Sequence, residues 1–482
     1  MIRRAHREPI IPNTFAYLVL GLWPLVIIFL FTQLAVKPAV IWSILLSYMF
    51  LPVATEFHYP GVPALDKSSL PNIMALLCAL AFAKRRLRLL PKQPIVLLLM
   101  VVFVLSPALT TLSNADPIVL TEMAIPGLTF HDTLSICFNQ IITLIPFVLG
   151  YGVLGSESGH AALIKALVFA GLIYSLPMLL EIRLSPQLHN LAYGFSPHQF
   201  AQQMRMGGFR AMVFMGHGLL TGIFICMALL ATAGLARQRR QILTLPIVLV
   251  LGYLGLVLVL SKAFGAIMFG LIFAPLIYFA RPRLMLLTGA LVAMTVLAYP
   301  ALRGSGWIST QTVASVTGSV GTERQGSLNF RMENEDALLK KASQRPYLGW
   351  GTWGRNRIYA EGYDSDLSVT DGTWIIVVGS FGWIGYLAAF GLLCAPLIGS
   401  AVRFRQKLPY PIQSAALHIV LAVNLLDLIP NSSLRPITWL IAGALTATIV
   451  QRRAKSDGAV GDPNMPSAPA PEEAVAHSNS AS

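Results

Sequence analysis

Long apolar runs recur along almost the whole chain, and they restrict its fold more than any motif does. They lie near Phe15–Val36, Ala39–Ala54, Leu70–Ala83, Ile95–Leu112, Thr133–Leu154, Ala161–Leu180, Ala211–Leu235, Ile242–Leu260, Ala263–Ala280, Leu284–Leu302, Gly372–Gly399, Ile412–Ile429 and Pro436–Val450. About 20 apolar residues in a helix cross the roughly 30 Å hydrocarbon layer. The runs are continuous and do not alternate, which favours helices over a transmembrane barrel. The expected class is all-α: a polytopic bundle of about twelve spans. With 55% hydrophobic and 12% charged residues, a soluble globular domain is excluded.

Charge sets the orientation. A net charge of +14 would suit a nucleic-acid binder, but the bases gather in short loops between apolar runs. These are Lys84–Arg88, Arg237–Arg240, Arg281–Arg283, Arg403–Lys407 and Arg452–Lys455. Basic loops stay in the cytoplasm, and with all five placed there every run from Ile95 onward alternates consistently. Arg3, Arg4 and Arg7 also favour the cytoplasm. Three spans before Lys84 would put them outside, so one of the first three runs is expected not to cross. Leu70–Ala83, the shortest of them, is the first choice for a re-entrant or half-spanning element. Both ends of the chain would then lie inside. No cleavable signal peptide is evident. Cys78, Cys137, Cys226 and Cys394 all sit in apolar runs and read as small buried hydrophobes.

The same alternation puts Ser113–Asp132, Glu181–Arg210 and Arg303–Asp371 outside, the last being by far the longest. The expected divisions are residues 1–302, an N-terminal bundle; 303–371, an outer loop; 372–456, the last helices; and 457–482, a disordered tail rich in Ala, Pro, Glu and Ser. Within the loop, Phe330–Ser343 reads as a helix with Phe330, Ala337, Leu338 and Ala342 on one face. Pro346 and Gly349 would end it.

Unusual polar residues collect at the outer level. They are Arg205, Arg210, His217 (two turns into its span), Lys262 at a helix junction, Asp371, Asp427 and Arg435. Ionisable groups beside hydrocarbon are costly, and their default reading is functional. Cations at this depth suit a diphosphate. Each also has a plain reading: Arg205 as an interfacial anchor, His217 as an interhelical hydrogen bonder, Lys262 as a lipid-phosphate anchor, and Asp427 as a partner of Arg435 or Asn424. Trp307, Tyr347, Trp350, Trp353, Tyr359 and Tyr363 interleave the loop's charges. They suit stacking on sugar rings or anchoring on the lipid surface. Two spacings mislead. Gly349–Gly354 matches G-x-G-x-x-G but follows no strand, and Asp364-Ser-Asp366 lies on the side away from nucleotide sugars. Neither a metal nor a dinucleotide is expected.

These residues resemble the O-antigen ligase and polysaccharide polymerase superfamily of bacterial inner membranes. The likeness rests on the span layout with one long late loop, and on Arg331-Met-Glu-Asn-Glu followed by Pro346-Tyr-Leu-Gly-Trp-Gly351. It also rests on Gly379-x-x-Gly382 with Gly385, and on Gly207-Gly-Phe-Arg210 with His217. The resemblance implies a GT-C-like glycosyltransferase with its site facing the periplasm. It implies undecaprenyl-diphosphate-linked glycans as substrates and no cofactor. A chain-length regulator is an implied partner, and nucleic acid is not. Arg205, Arg210, Lys262, Arg331 and Arg345 would neutralise the diphosphate, and Trp350 and Trp353 would contact glycan. Asp371, then Glu333 and His217, are the candidates for the base. The ligases carry a histidine where this chain has Asp371, which shifts weight toward a polymerase. A ligase acting on lipid A core or protein, a flippase or exporter, and a structural subunit of an export complex are the other readings.

Overall fold

The computed structural model describes residues 11–457 apart from 60–61, 85–86, 122, 199, 206, 239–240, 243–244, 309–321, 361–365 and 404–409. Arg3, Arg4, Arg7 and the tail beyond 457 lie outside the described residues. The chain is mostly helical, and its strands are short hairpins in the connections, such as β1 (Phe57–Tyr59) with β2 (Val62–Leu65). Seven helices are long and apolar enough to cross a membrane: α1 (Thr14–Gln33), α4 (Pro94–Leu112), α5 (Phe130–Leu154), α6 (Glu157–Leu184), α8 (Gly218–Ala236), α11 (Pro282–Gly304) and α13 (Thr373–Arg403). Shorter apolar helices fill the gaps: α2 (Val36–Phe50), α3 (Ser69–Phe82), α9 (Ile247–Leu260), α10 (Phe264–Phe279), α14 (Ile412–Asp427) and α15 (Pro436–Asp457). Two further helices, α7 (Leu188–Tyr193) and α12 (Thr322–Ala342), belong to connections.

Helix α8 is apolar all round and buried almost throughout, so it forms the centre of the bundle. The outer helices carry exposed Leu18, Phe29, Leu98, Leu249, Leu271 and Leu291, as a lipid-facing ring would. Helices α5 and α15 cross closely because both contribute glycine. A Cβ on Gly150 would lie 2.1 Å from the Leu440 carbonyl oxygen, and one on Gly443 would lie 1.9 Å from that of Phe147.

Contacts sort the helix ends into two levels. At one, here called the mouth, gather the starts of α3, α8 and α15 and the end of α2. The opposite end holds Lys37 on Ser156 and Ser158, Phe31 against Phe82, and Arg237 on the Ile277 carbonyl. The first three helices run in turn between these two levels. Asn13, which caps α1, bonds Tyr193 and Ala192 at the mouth. Helix α2 returns to the mouth, where the Leu51 carbonyl meets Lys67, and α3 descends again to bring Phe82 beside Phe31. Helix α3 has 14 residues, and neither it nor α2 is among the seven helices long enough to cross a membrane.

Helix α12 also departs from its expected form. It begins at Thr322 and buries Met332, Glu335, Leu338 and Ala342, while Phe330 and Ala337 are exposed. Its buried face is rotated because Glu335, polar by type, points inward to Arg303 of α11 at 3.7 Å.

Helix α13 breaks at Gly382, where φ is 64°. The segment Pro346–Gly351 docks into the break. Trp383 and Ile384 donate to the carbonyls of Pro346 and Tyr347, and Trp350 and Gly351 donate to those of Gly379 and Ser380. The loop backbone therefore replaces hydrogen bonds that the helix gives up. A Cβ on Gly349 would lie 2.5 Å from the Ser380 carbonyl carbon, and one on Gly382 would lie 2.3 Å from the Tyr347 carbonyl.

Candidate functional site

The mouth is built around the entry to α8. Buried Glu181 near the end of α6 accepts hydrogen bonds from the backbone N–H groups of Met212, Val213 and Leu188. This carboxylate shapes the segment from Arg210 to His217. Helix α8 begins at Gly218, so His217 is its N-cap and does not lie two turns inside it. The His217 Nδ1 accepts the Leu219 N–H at 3.0 Å, which assigns the ring proton to Nε2. Burial first, then the charges of His198, Arg210, Arg331 and Arg435, push the imidazole down to about 4. His217 is therefore neutral near pH 7 and offers a hydrogen-bond donor at Nε2. The His198 ring lies 4.6 Å from the His217 ring, and the charges of Arg331 and Arg435 reach it from distant parts of the sequence.

Two glycines make this convergence possible. The Arg210 side chain runs over Gly218, where an added Cβ would lie 2.0 Å from the arginine Cδ. The Lys262 ammonium sits over Gly208, at 2.3 Å from such a position, and Arg210 Nη2 donates to the Lys262 carbonyl at 3.3 Å. Lys262 itself has φ 55°, a left-handed conformation that is costly for a side chain and occurs at functional turns. From the loop, Arg331 reaches in and pairs with Asp371 at 3.0 Å; its Nη1 lies 3.5 Å from the Pro430 carbonyl. Both members of that pair are about one-third exposed, so they line an accessible surface.

Several expected members lie elsewhere. Arg345 donates to the Ser113 carbonyl at 2.5 Å and to Asn114 Oδ1 at 2.6 Å, and it stacks 4.5 Å from the Trp350 ring. It ties the outer loop to the end of α4 and belongs to the loop's framework. Trp350 is consumed in the same framework, with its indole N–H on the Lys341 carbonyl. Trp353 is 55% exposed on the loop surface, and Glu333 is exposed on α12. The backbone of Arg205 forms β5 (Met204–Arg205) against β6 (Gly208–Phe209), and its side chain lies outside the described residues, as do Tyr363 and Asp364. Asp366 is held by Arg357 and Ser368. Asp427 bonds Asn431 at 2.8 Å and is buried, with no ion pair to Arg435 among the described residues. Asn424 serves Thr438 and Val420 instead.

Sequence reasoning undervalued Arg435 and missed Lys67 and Tyr48. Arg435 faces the Tyr48 hydroxyl and lies near both His217 and Lys67. Lys67 donates to the Leu51 and Phe214 carbonyls at 3.0 Å each. The available signal was the polar run Asp66-Lys-Ser-Ser69 before an undersized apolar helix. Arg355 was missed as well. It is 1% exposed and holds the carbonyls of Trp350, Pro126 and Asp116, so it supports the loop. Across known proteins, no family model matches the chain, and no curated protein matches it.

Proposed function

We propose that this chain is a membrane glycosyltransferase whose mouth holds the diphosphate of a polyprenyl-diphosphate-linked glycan. The observation that carries the reading is the pairing of Arg210 with the Lys262 turn over Gly218 and Gly208, together with the accessible Arg331–Asp371 pair. Cations at the edge of an apolar bundle need an anion, and planar guanidinium groups match phosphoryl oxygens two bonds at a time. The apolar helix faces suit a prenyl chain.

The chemistry follows from the charge that develops. An acceptor hydroxyl attacks the anomeric carbon, and the bond from that carbon to the phosphate oxygen breaks. Its electron pair leaves on the diphosphate, where Arg210, Arg331 and Arg435 stabilise it and His217 Nε2–H donates to it. The hydroxyl proton passes to Asp371, which Arg331 positions at 3.0 Å from itself. Direct displacement inverts the anomeric centre. Asp371, where the resembled ligases carry histidine, favours repeat-unit polymerisation over transfer to lipid A core.

The site is read as facing the periplasm of a bacterial inner membrane, because Lys84, just after Phe82, and Arg237 lie toward the opposite end. The test is genetic and chemical together. Cells lacking the chain are expected to accumulate single repeat units on the prenyl carrier. Neither Arg210→Ala nor Arg331→Ala is expected to restore polymer at normal expression. Accumulation of long chains would instead indicate a ligase, and full polymer from both variants would remove the clamp.

A further inference from the structure

Beside Arg435 lies a second, small cavity of ≈ 50 Å³, between α2, the start of α3, the segment before α8 and the start of α15. Lys67 and Arg435 both line it, with Tyr48, Ser68 and Asn72. Two of the three Lys67 N–H groups serve the Leu51 and Phe214 carbonyls, and the geometry leaves the third for the cavity. Arg435 Nε is buried without an acceptor. Asn72 is 3% exposed; its amide N–H serves Ile142, and its Oδ1 is buried without a donor. No carboxylate forms an ion pair with either cation among the described residues, and Asp66 accepts from Ser68 and Ser69. Two neighbouring cations in a mostly enclosed space repel each other, and unpaired buried polar atoms are costly. Burial, and then Arg435, hold the Lys67 ammonium down to about 7, consistent with a site short of negative charge.

We infer that the Lys67–Arg435 cavity is a phosphoryl-binding subsite, distinct from the Arg210–Arg331 rim, that takes a phosphate group accompanied by a hydroxyl that donates to Asn72 Oδ1. Lys67 supplies a point charge and Arg435 a planar fork, so together they match a dianion. Arg435 lines this cavity, and its charge also acts on His217, so the cavity can take one end of a diphosphate whose other end lies at the rim. The identification of the ligand as the substrate's diphosphate rests on the proposed function; the phosphoryl subsite itself does not.

The test uses the full chain in nanodiscs of phosphatidylcholine, with inorganic diphosphate titrated by calorimetry. Lys67→Met is expected to weaken binding by at least about tenfold, because one partner of a buried charged contact is lost. Lys67→Gln can still bond the Leu51 and Phe214 carbonyls while losing the charge; it is expected to show the same loss and serves if Lys67→Met does not fold. Nanodiscs containing phosphatidylglycerol separate the sources. If the Lys67 dependence persists there, the cavity takes the added diphosphate in preference to lipid. If it is suppressed there, a phospholipid headgroup is the phosphoryl ligand. Wild-type binding that neither variant changes in phosphatidylcholine, or no diphosphate binding at all, overturns the subsite. Lys67-dependent binding by a chain that polymerises nothing would keep the subsite and remove the glycosyltransferase reading.

Discussion

The mouth and the docked outer loop are both built from residues that stood out in the sequence, yet they do opposite things. The loop segment Pro346–Gly354 carries the recognisable spacings, the glycines and the tryptophan. Those features are spent on fit: Gly349 and Gly382 let two backbones touch, and Arg345, Trp350 and Arg355 fasten the loop to α4 and the 114–128 connection. The mouth has no compact motif. Its cations come one at a time from positions 67, 210, 331 and 435, and only the fold brings them together. Dense motifs here mark where the backbone is constrained, and the scattered charges at one depth form the site proposed for the ligand.

The largest expected effect breaks the loop side of this contrast. Gly382→Val places a branched side chain at φ 64° and 2.3 Å from the Tyr347 carbonyl. Left-handed strain and overpacking each cost about 1–3 kcal/mol, so folded protein should largely disappear. Fluorescence-detected size exclusion would show this, and a monodisperse Gly382→Val protein would mean that the loop is not docked as described.

Next comes the mouth. Arg210→Ala and Arg331→Ala are each expected to lower glycosyl transfer by about 100-fold or more, the usual cost of losing one donor to a developing oxyanion. Melting temperatures should change little. Loss of both activity and folding would place these arginines with the loop framework.

Arg345→Ala sharpens the distinction in the other direction. It removes two hydrogen bonds and the stacking on Trp350. Loss of charged hydrogen bonds of this kind costs about 1.5–3 kcal/mol, so the melting temperature should fall while diphosphate affinity of the folded fraction holds. A selective loss of affinity would return Arg345 to the clamp.

The smallest effect concerns the hinge between α11 and α12. Burial, opposed by Arg303, lifts the Glu335 carboxyl from 4.5 to about 7. The folded chain therefore holds this proton more tightly than the unfolded one. The resulting stability is present in full below about pH 4.5, and it is lost as pH rises through about 7. Glu335→Gln should flatten the fall in melting temperature between about pH 4.5 and 7. An unchanged slope would mean that the Arg303 pairing outweighs burial.

The helical class and the shared level of Arg210 and Lys262 were legible, because apolar runs and costly charges are local signals. The packing of α1 was not: the Asn13 side-chain amide bonds the Ala192 carbonyl, 179 positions away. Lys67 was hidden because a lone lysine in a loop carries no pattern until α2, α3 and α15 surround it. Arg345 misled because its charge resembled the others, while its partners Ser113 and Asn114 could not be seen from the sequence.

The most direct measurement is a cryo-electron-microscopy map of the chain in nanodiscs loaded with a prenyl-diphosphate-linked glycan. The account predicts diphosphate density at about 3 Å from the guanidinium groups of Arg210, Arg331 and Arg435, with the first sugar beside Asp371. Density at the opposite end of the bundle, or against Arg345 and Trp350, would contradict it.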